Sequence, residues 1–177
     1  SQKGALKVSM IPYTGKVIWE FPKKITGTAA SPATDHLFQI RDKSDAKYLP
    51  KVQAMTFHRT TAQLLFMSAH AQRDIQTAVA FLCTRVKKPD EDNWERLKQV
   101  LKYLNGTKHM KLVLTVDTLS IIRWWVNSLY NTHWDSKGHT WARMSLVTDI
   151  STSNKQKLNV NSSTEGELFD SYYIMPD

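Results

Sequence analysis

The chain has 177 residues, 41% hydrophobic and 10% aromatic, enough apolar material for a packed core in one domain or two small ones. It contains no run of 18 uncharged apolar residues, and its opening, SQKGALKVSMIPY, lacks an apolar core followed by a small-residue cleavage site; no membrane span or secretory signal is expected, and a soluble intracellular protein is. The formal net charge of +8 is uneven: residues 1–110 hold 18 Lys and Arg against 9 Asp and Glu, residues 111–177 hold 6 against 7, so the first part is the expected polyanion-facing part. The lone cysteine, Cys83, sits in the apolar run AVAFLCTRV, excludes an internal disulfide and reads as a buried structural thiol.

In chain order, IPYTGKVIWEF offers Ile11, Val17, Ile18 and Phe21 as the apolar face of a short helix. The Thr-, Ala-, Ser- and Pro-rich stretch ITGTAASPATDHLFQIRDKSDAKYLP that follows reads as an extended connector. From Val52 to Leu104 apolar residues recur at three and four. Phe57, Thr61, Leu64, Leu65 and Met67 form one stripe, Ile75, Val79, Leu82 and Val86 a second, and Trp94, Leu97, Val100, Leu101 and Leu104 a third, which predicts three helices in an antiparallel unit. Asp74 is the expected cap of the second helix, Pro89 with Asp90 and Asp92 marks the start of the third, and Asn105-Gly106 its end. Beyond Lys108 the period shifts toward two and β-formers dominate. KLVLTV, SIIRWWVNS, TWARMSLVTDIST and KQKLNVN predict four strands, with a tight turn at Asp117-Thr118 and a looser one at Asp135-Ser136-Lys137-Gly138, the glycine supplying the unusual backbone angle. SSTEGEL then returns to helix, capped by Ser162, Ser163 or Thr164, with Glu165 and Glu167 near its positive end.

Taken together, the blocks FHRTTAQLLFMS, RDIQTAVAFLCTRV, ERLKQVLKYLNGT, RWWVNSLYNTHWDSKGHT, KQKLN and SSTEGEL, in this order, resemble the C-terminal part of a copia-type retrotransposon polyprotein, from about Leu6 to Met175. In that family a reverse transcriptase thumb and connecting segment lead into a tethered RNase H domain. The resemblance implies an α+β chain in three parts: a post-palm segment and connector over 1–51, a helical thumb-like unit over 52–107, and a truncated RNase H-like unit over 108–177, a partial sheet with a terminal helix. It also implies that the paired polymerase aspartates lie upstream of Ser1 and the later RNase H elements beyond Asp177.

RNase H chemistry clusters carboxylates around two divalent metals, and hard Mg²⁺ needs charged oxygen ligands. By the resemblance, the first-strand aspartate matches Asn127 in WWVNSLY, a neutral amide, and the helix glutamate matches Glu167, with Glu165 on another face of the helix. Asp170, one turn after Glu167, stands among Phe169, Ser171, Tyr172 and Tyr173, where the family has small and acidic residues. Asn127 and Glu167 are therefore expected to be vestiges of a site, with no enzyme activity, no retained Mg²⁺ and no other cofactor.

The thumb-like unit is expected to contact the phosphates of an RNA–DNA duplex or RNA through Arg73, Arg85, Lys87, Lys88, Lys98 and Lys102. Trp124 and Trp125 alternate across a strand, so that one ring enters the core and the other is offered to a base or to a protein partner. His133 and His139 flank the DSKG turn with Asp135 between them; such loop histidines are expected at the surface or capping the turn, and no metal is assigned to them. Two functions compete: a non-specific nucleic-acid-binding remnant, and a structural or adaptor subunit whose open sheet is covered by a partner protein or by self-association.

Overall fold

A computed structural model describes residues 5–42, 44–115, 123–129, 131–133, 135–145, 149–156 and 162–174. The fold is α+β. It divides into two compact units, one spanning Ser9–Leu112 and the other Ser1–Val8 with Val113–Asp177. The post-palm segment expected over 1–51 does not stand apart. Its first strand, β1 (Ala5–Val8), pairs with β2 (Leu112–Thr115), and the rest belongs to the helical unit.

The helical unit opens with α1 (Ile11–Trp19), where Pro12 fits the first turn and Thr14 and Val17 face inward with Phe21 beyond them. Next come α2 (Lys51–His70), a 3-10 turn (Arg73–Ile75) running into α3 (Gln76–Cys83), and α4 (Glu91–Thr107). The three stripes read from sequence largely become the core: Phe57, Leu64, Met67, Ile75, Val79, Leu82, Leu97, Leu101 and Leu104 are fully buried. Leu65 is the exception, 48% exposed on the outward side of α2, and Val86 lies beyond the end of α3, partly buried against the core. Aromatic rings close the gaps, Trp94 against Phe21 at 5.0 Å and Phe38 edge-on to Phe81 at 5.7 Å.

The connector is a strap, without regular secondary structure but anchored along its length. Leu37 enters the core, Phe38 and Ile40 pack against it, and α4 side chains satisfy the strap's backbone: Asn105 donates to the Gly27 carbonyl (3.1 Å), Gln99 to that of Ser31 (3.0 Å) and Arg96 to that of Gln39 (2.6 Å). Leu49 N–H donates to Pro89 O and Glu91 N–H to Lys47 O, fixing the strap's far end beside the start of α4. Composition suggested a loose linker because the holding groups lie on a helix some 60 to 80 residues away.

Two capping expectations change. The N-cap positions are Gln72 for the 3-10 turn and Ile75 for α3, not Asp74, whose carboxylate accepts the hydroxyl of Tyr103; burial, together with that bond, holds the phenol's pKa up at about 12. Asn105-Gly106 does not end α4, which continues to Thr107. Asp90 does cap α4, its side chain accepting from Asn93 N at 2.8 Å.

In the second unit β3 (Arg123–Leu129), β4 (His139–Ser145) and β5 (Asp149–Lys155) form an antiparallel sheet in that order. The single strand expected over TWARMSLVTDIST is two, Ser145 pairing with Asp149 at the head of a hairpin. The turn expected at Asp117-Thr118 and most of the KQKLNVN strand lie outside the described residues. The final helix, α5 (Ser163–Ile174), packs against β3, and Ser162 caps it by accepting from Glu165 N at 3.1 Å.

Candidate functional site

Alternation along β3 decides the fate of the presumed nuclease vestiges. Ser128 is buried and its hydroxyl accepts from Gln156 Nε2 at 2.9 Å; the same amide donates at 2.9 Å to Asp170 Oδ2 on α5. Ser128 therefore faces α5, and Asn127, exposed, faces away from it. Glu167 is exposed on α5 while Gly166 and Asp170, four apart, face inward. Asn127 and Glu167 thus lie on different surfaces, and among the described residues no group of three or more His, Cys, Asp or Glu converges to hold a metal. The carboxylate that does turn toward the sheet, Asp170, is engaged by an amide. The same alternation sorts the tryptophans: Trp124 lies on the α5 side, half-buried, and Trp125 on the other, 43% exposed.

The predicted phosphate contacts are scattered. Arg73 is half-buried in the 3-10 turn, and Arg85 is half-buried with its Nε enclosed. Lys88 lies over the ring of Tyr48 at 4.0 Å, keeping its charge at the surface. Lys98 bonds both carboxylate oxygens of Glu95 at 2.7 Å, so its charge is locally compensated. Lys87 is exposed and Lys102 half-buried, and neither forms an ion pair among the described residues. Lys102 lines a cavity of about 220 Å³ together with Leu37, Ala78, Leu82, Val100 and Glu95.

Further basic residues lie on α2, beside Glu20, whose carboxylate accepts from Gln63 Nε2 at 3.2 Å. Residues 46–73 contain no Asp or Glu, and the outward side of α2 carries Lys51, His58, Arg59 and His70, all exposed. Between them the same surface exposes Val52, Met55, Leu65 and Phe66. The second half of α4 and the residues after it are likewise free of carboxylates, 96–116 carrying Arg96, Lys98, Lys102, Lys108 and Lys111. Lys51 and Arg59 were missed because counting cations in mixed-charge segments hides the feature that sets potential, the local absence of acids.

His133 and His139 overturn their surface assignment. They are 5% and 1% exposed, and Nε2 of the first meets Nδ1 of the second at 3.1 Å. Burial, with Lys155 nearby for His133 and His133 itself for His139, lowers both to a pKa of about 4, so both rings are neutral near pH 7. Lys155 sits opposite His139 in the β4–β5 register and pairs with Asp135 at 2.7 Å. The turn's unusual backbone angle belongs to Ser136 (φ 58°), not to Gly138. Gly138 is required for space: a Cβ there would stand 2.1 Å from Gln156 Oε1 and 2.7 Å from the Leu129 carbonyl oxygen. Burial also raises the Cys83 thiol above its ordinary pKa, which disfavours the reactive thiolate. No helix among the described residues is long and apolar enough to cross a membrane. Compared with protein-family models, curated proteins and solved structures, the chain matches none.

Proposed function

We propose that this chain is a catalytically inactive fragment derived from a retrotransposon reverse transcriptase and RNase H, and that it binds nucleic acid without sequence preference through its helical unit. The observation that carries the binding reading is the charge distribution. Residues 9–112 hold 17 Lys and Arg against 9 Asp and Glu, and the acid-free stretches 46–73 and 96–116 fall on α2 and on the second half of α4. Such a surface attracts phosphates by charge and reads no bases, because its contacts are to the backbone of the nucleic acid. Inactivity is read from Asn127, an amide where the motif carries a carboxylate, and from its separation from Glu167; an amide cannot replace the charged oxygen that hard Mg²⁺ requires. The RNase H-like character of the sheet unit rests on the motif blocks, with which three antiparallel strands followed by a helix are compatible.

Fluorescence anisotropy of a labelled RNA–DNA duplex tests this reading. Binding at low salt that weakens steeply with added salt, equal for unrelated sequences, is expected; no measurable binding at low salt would overturn it. Mg²⁺-dependent cleavage of the hybrid would overturn the inactivity.

A second reading, a structural or adaptor subunit, is favoured by apolar exposure. Val52 and Met55 on α2 are 76% and 66% exposed, and Trp125 and Leu129 line the face of β3 turned away from α5. A defined set of proteins copurifying with the chain, without nucleic acid, would select it.

A further inference from the structure

Helix α2 carries two ordered faces. Its inward ridge, Phe57, Thr60, Thr61, Leu64, Met67 and Ser68, is buried in the helical unit. On the opposite side Val52, Met55, Arg59, Ala62, Phe66 and Ala69 recur at alternating steps of three and four, and all six are exposed. That is the a/d spacing of a heptad, the seam along which a second helix seats its side chains as knobs into holes. The seam runs roughly 26 Å along the helix axis. Val52 and Met55 are 76% and 66% exposed, so most of their apolar surface is still in water, and Phe66 is held edge-on against Tyr13 at 5.6 Å.

The charges around the seam select its occupant. Lys51, His58 and His70 stand at the flanking positions that make interhelical ion pairs, Arg59 lies within the seam, and residues 46–73 contain no carboxylate. Glu20 touches α2 beside the seam, but it accepts from Gln63 and pairs with Lys16 at 3.8 Å. Two copies of α2 laid together in register would bring two Arg59 guanidinium groups to one seam with no acid on either helix, so like-charge repulsion opposes self-pairing.

We propose that the outward face of α2 docks an acidic amphipathic helix of a partner protein, one with an apolar a/d seam and Glu or Asp along its flanks and opposite Arg59. Burial of Val52, Met55 and Phe66 supplies the attraction, while the cations set register and reject basic partners. This inference rests on the adaptor reading and names the chemistry of its partner. Duplex binding uses the cations of the same face and not its apolar side chains, so the two are separable.

A synthetic peptide of three heptads, with Leu at a and d and Glu at e and g, is titrated against the full chain by fluorescence anisotropy. Saturable binding is expected, and the same peptide with Lys in place of Glu should not bind. Met55→Ser and Val52→Ser, both at exposed positions, should each weaken binding of the Glu peptide, Met55→Ser by about tenfold or more, and leave RNA–DNA duplex binding unchanged. Lys51→Glu combined with Arg59→Glu should reverse the preference in favour of the Lys peptide. Absence of binding by the unaltered chain, equal binding of both peptides, or binding undiminished in the folded serine variants would each overturn the proposal. A peptide-free dimer that Met55→Ser disperses would also overturn it and give the face to a second copy. Proteins that copurify although the Glu peptide does not bind would leave the adaptor reading standing and remove α2 as its docking face.

Discussion

Among the described residues, the two units differ in what they bury: a large apolar cluster in one and mostly polar side chains in the other. In the helical unit, fifteen buried apolar side chains form one cluster, with seven buried polar residues, Thr14, Thr60, Thr61, Ser68, Gln72, Asp90 and Asn93, beside it. In the sheet unit, the buried described residues are mostly polar: Ser128, His133, His139, Thr140, Gln156 and Asp170, with Ala142 the apolar exception. A hydrophobic cluster is non-directional and tolerates drift in sequence, whereas a buried hydrogen-bond network requires each partner in place. The helical unit should therefore resist heat and acid better than the sheet unit, and specific perturbations should separate them.

The largest effect is expected from the apolar cluster. Leu64→Ala deletes a fully buried side chain and should cost roughly 2–5 kcal/mol, read as a lower denaturant midpoint for the far-UV helical signal with the sheet's tryptophan signal less affected. Acid should do the reverse. Below the ordinary histidine pKa of 6.5 the unfolded chain takes up protons that His133 and His139, at about 4, refuse in the fold. Their contribution is full above pH 6.5 and is lost as pH falls toward 4, so amide exchange in β3 to β5 should accelerate across this window before that in α2 to α4; acceleration of both together would erase the distinction.

Gly138→Ala drives a methyl group against Gln156 Oε1 and the Leu129 carbonyl. A cost of roughly 1–3 kcal/mol confined to the sheet unit is expected, measurable by hydrogen exchange in β3 to β5. Smallest is the helix cap. Asp90→Ala removes the acceptor for Asn93 N and should cost about 1 kcal/mol in the helical unit alone, seen as a modest shift of its thermal midpoint.

How much could be read beforehand follows the same division. The helical stripes were legible because period and burial coincide along one element, so Leu64, Val79 and Leu101 could be placed in the core from spacing alone. Leu65 shows the limit: apolar identity does not reveal which side of a helix lacks a neighbour. The strap's anchoring is not legible in sequence because its stabilising partners, Arg96, Gln99 and Asn105, are distant along the chain. In the sheet unit, the roles of Gln156, His139 and Gly138 depend on cross-strand pairing, which no local pattern encodes; DSKG suggests a turn but not that glycine's task is to admit a glutamine. For the candidate site, Asn127 and Glu167 stand out in sequence only through the resemblance, and their placement on different surfaces needed the strand's alternation against Ser128.

If the helical unit binds phosphates through the cations of its acid-free stretches on α2 and α4, the salt dependence of RNA–DNA duplex binding changes in single-charge variants. Lys51→Ala and Arg59→Ala, both on the outward side of α2, should each weaken binding equally across sequences and lower the slope of log K against log salt by about one. Lys98→Ala, whose charge Glu95 already compensates, should change that slope far less. Slopes unchanged in Lys51→Ala and Arg59→Ala, or affinity that differs between unrelated sequences, would contradict it.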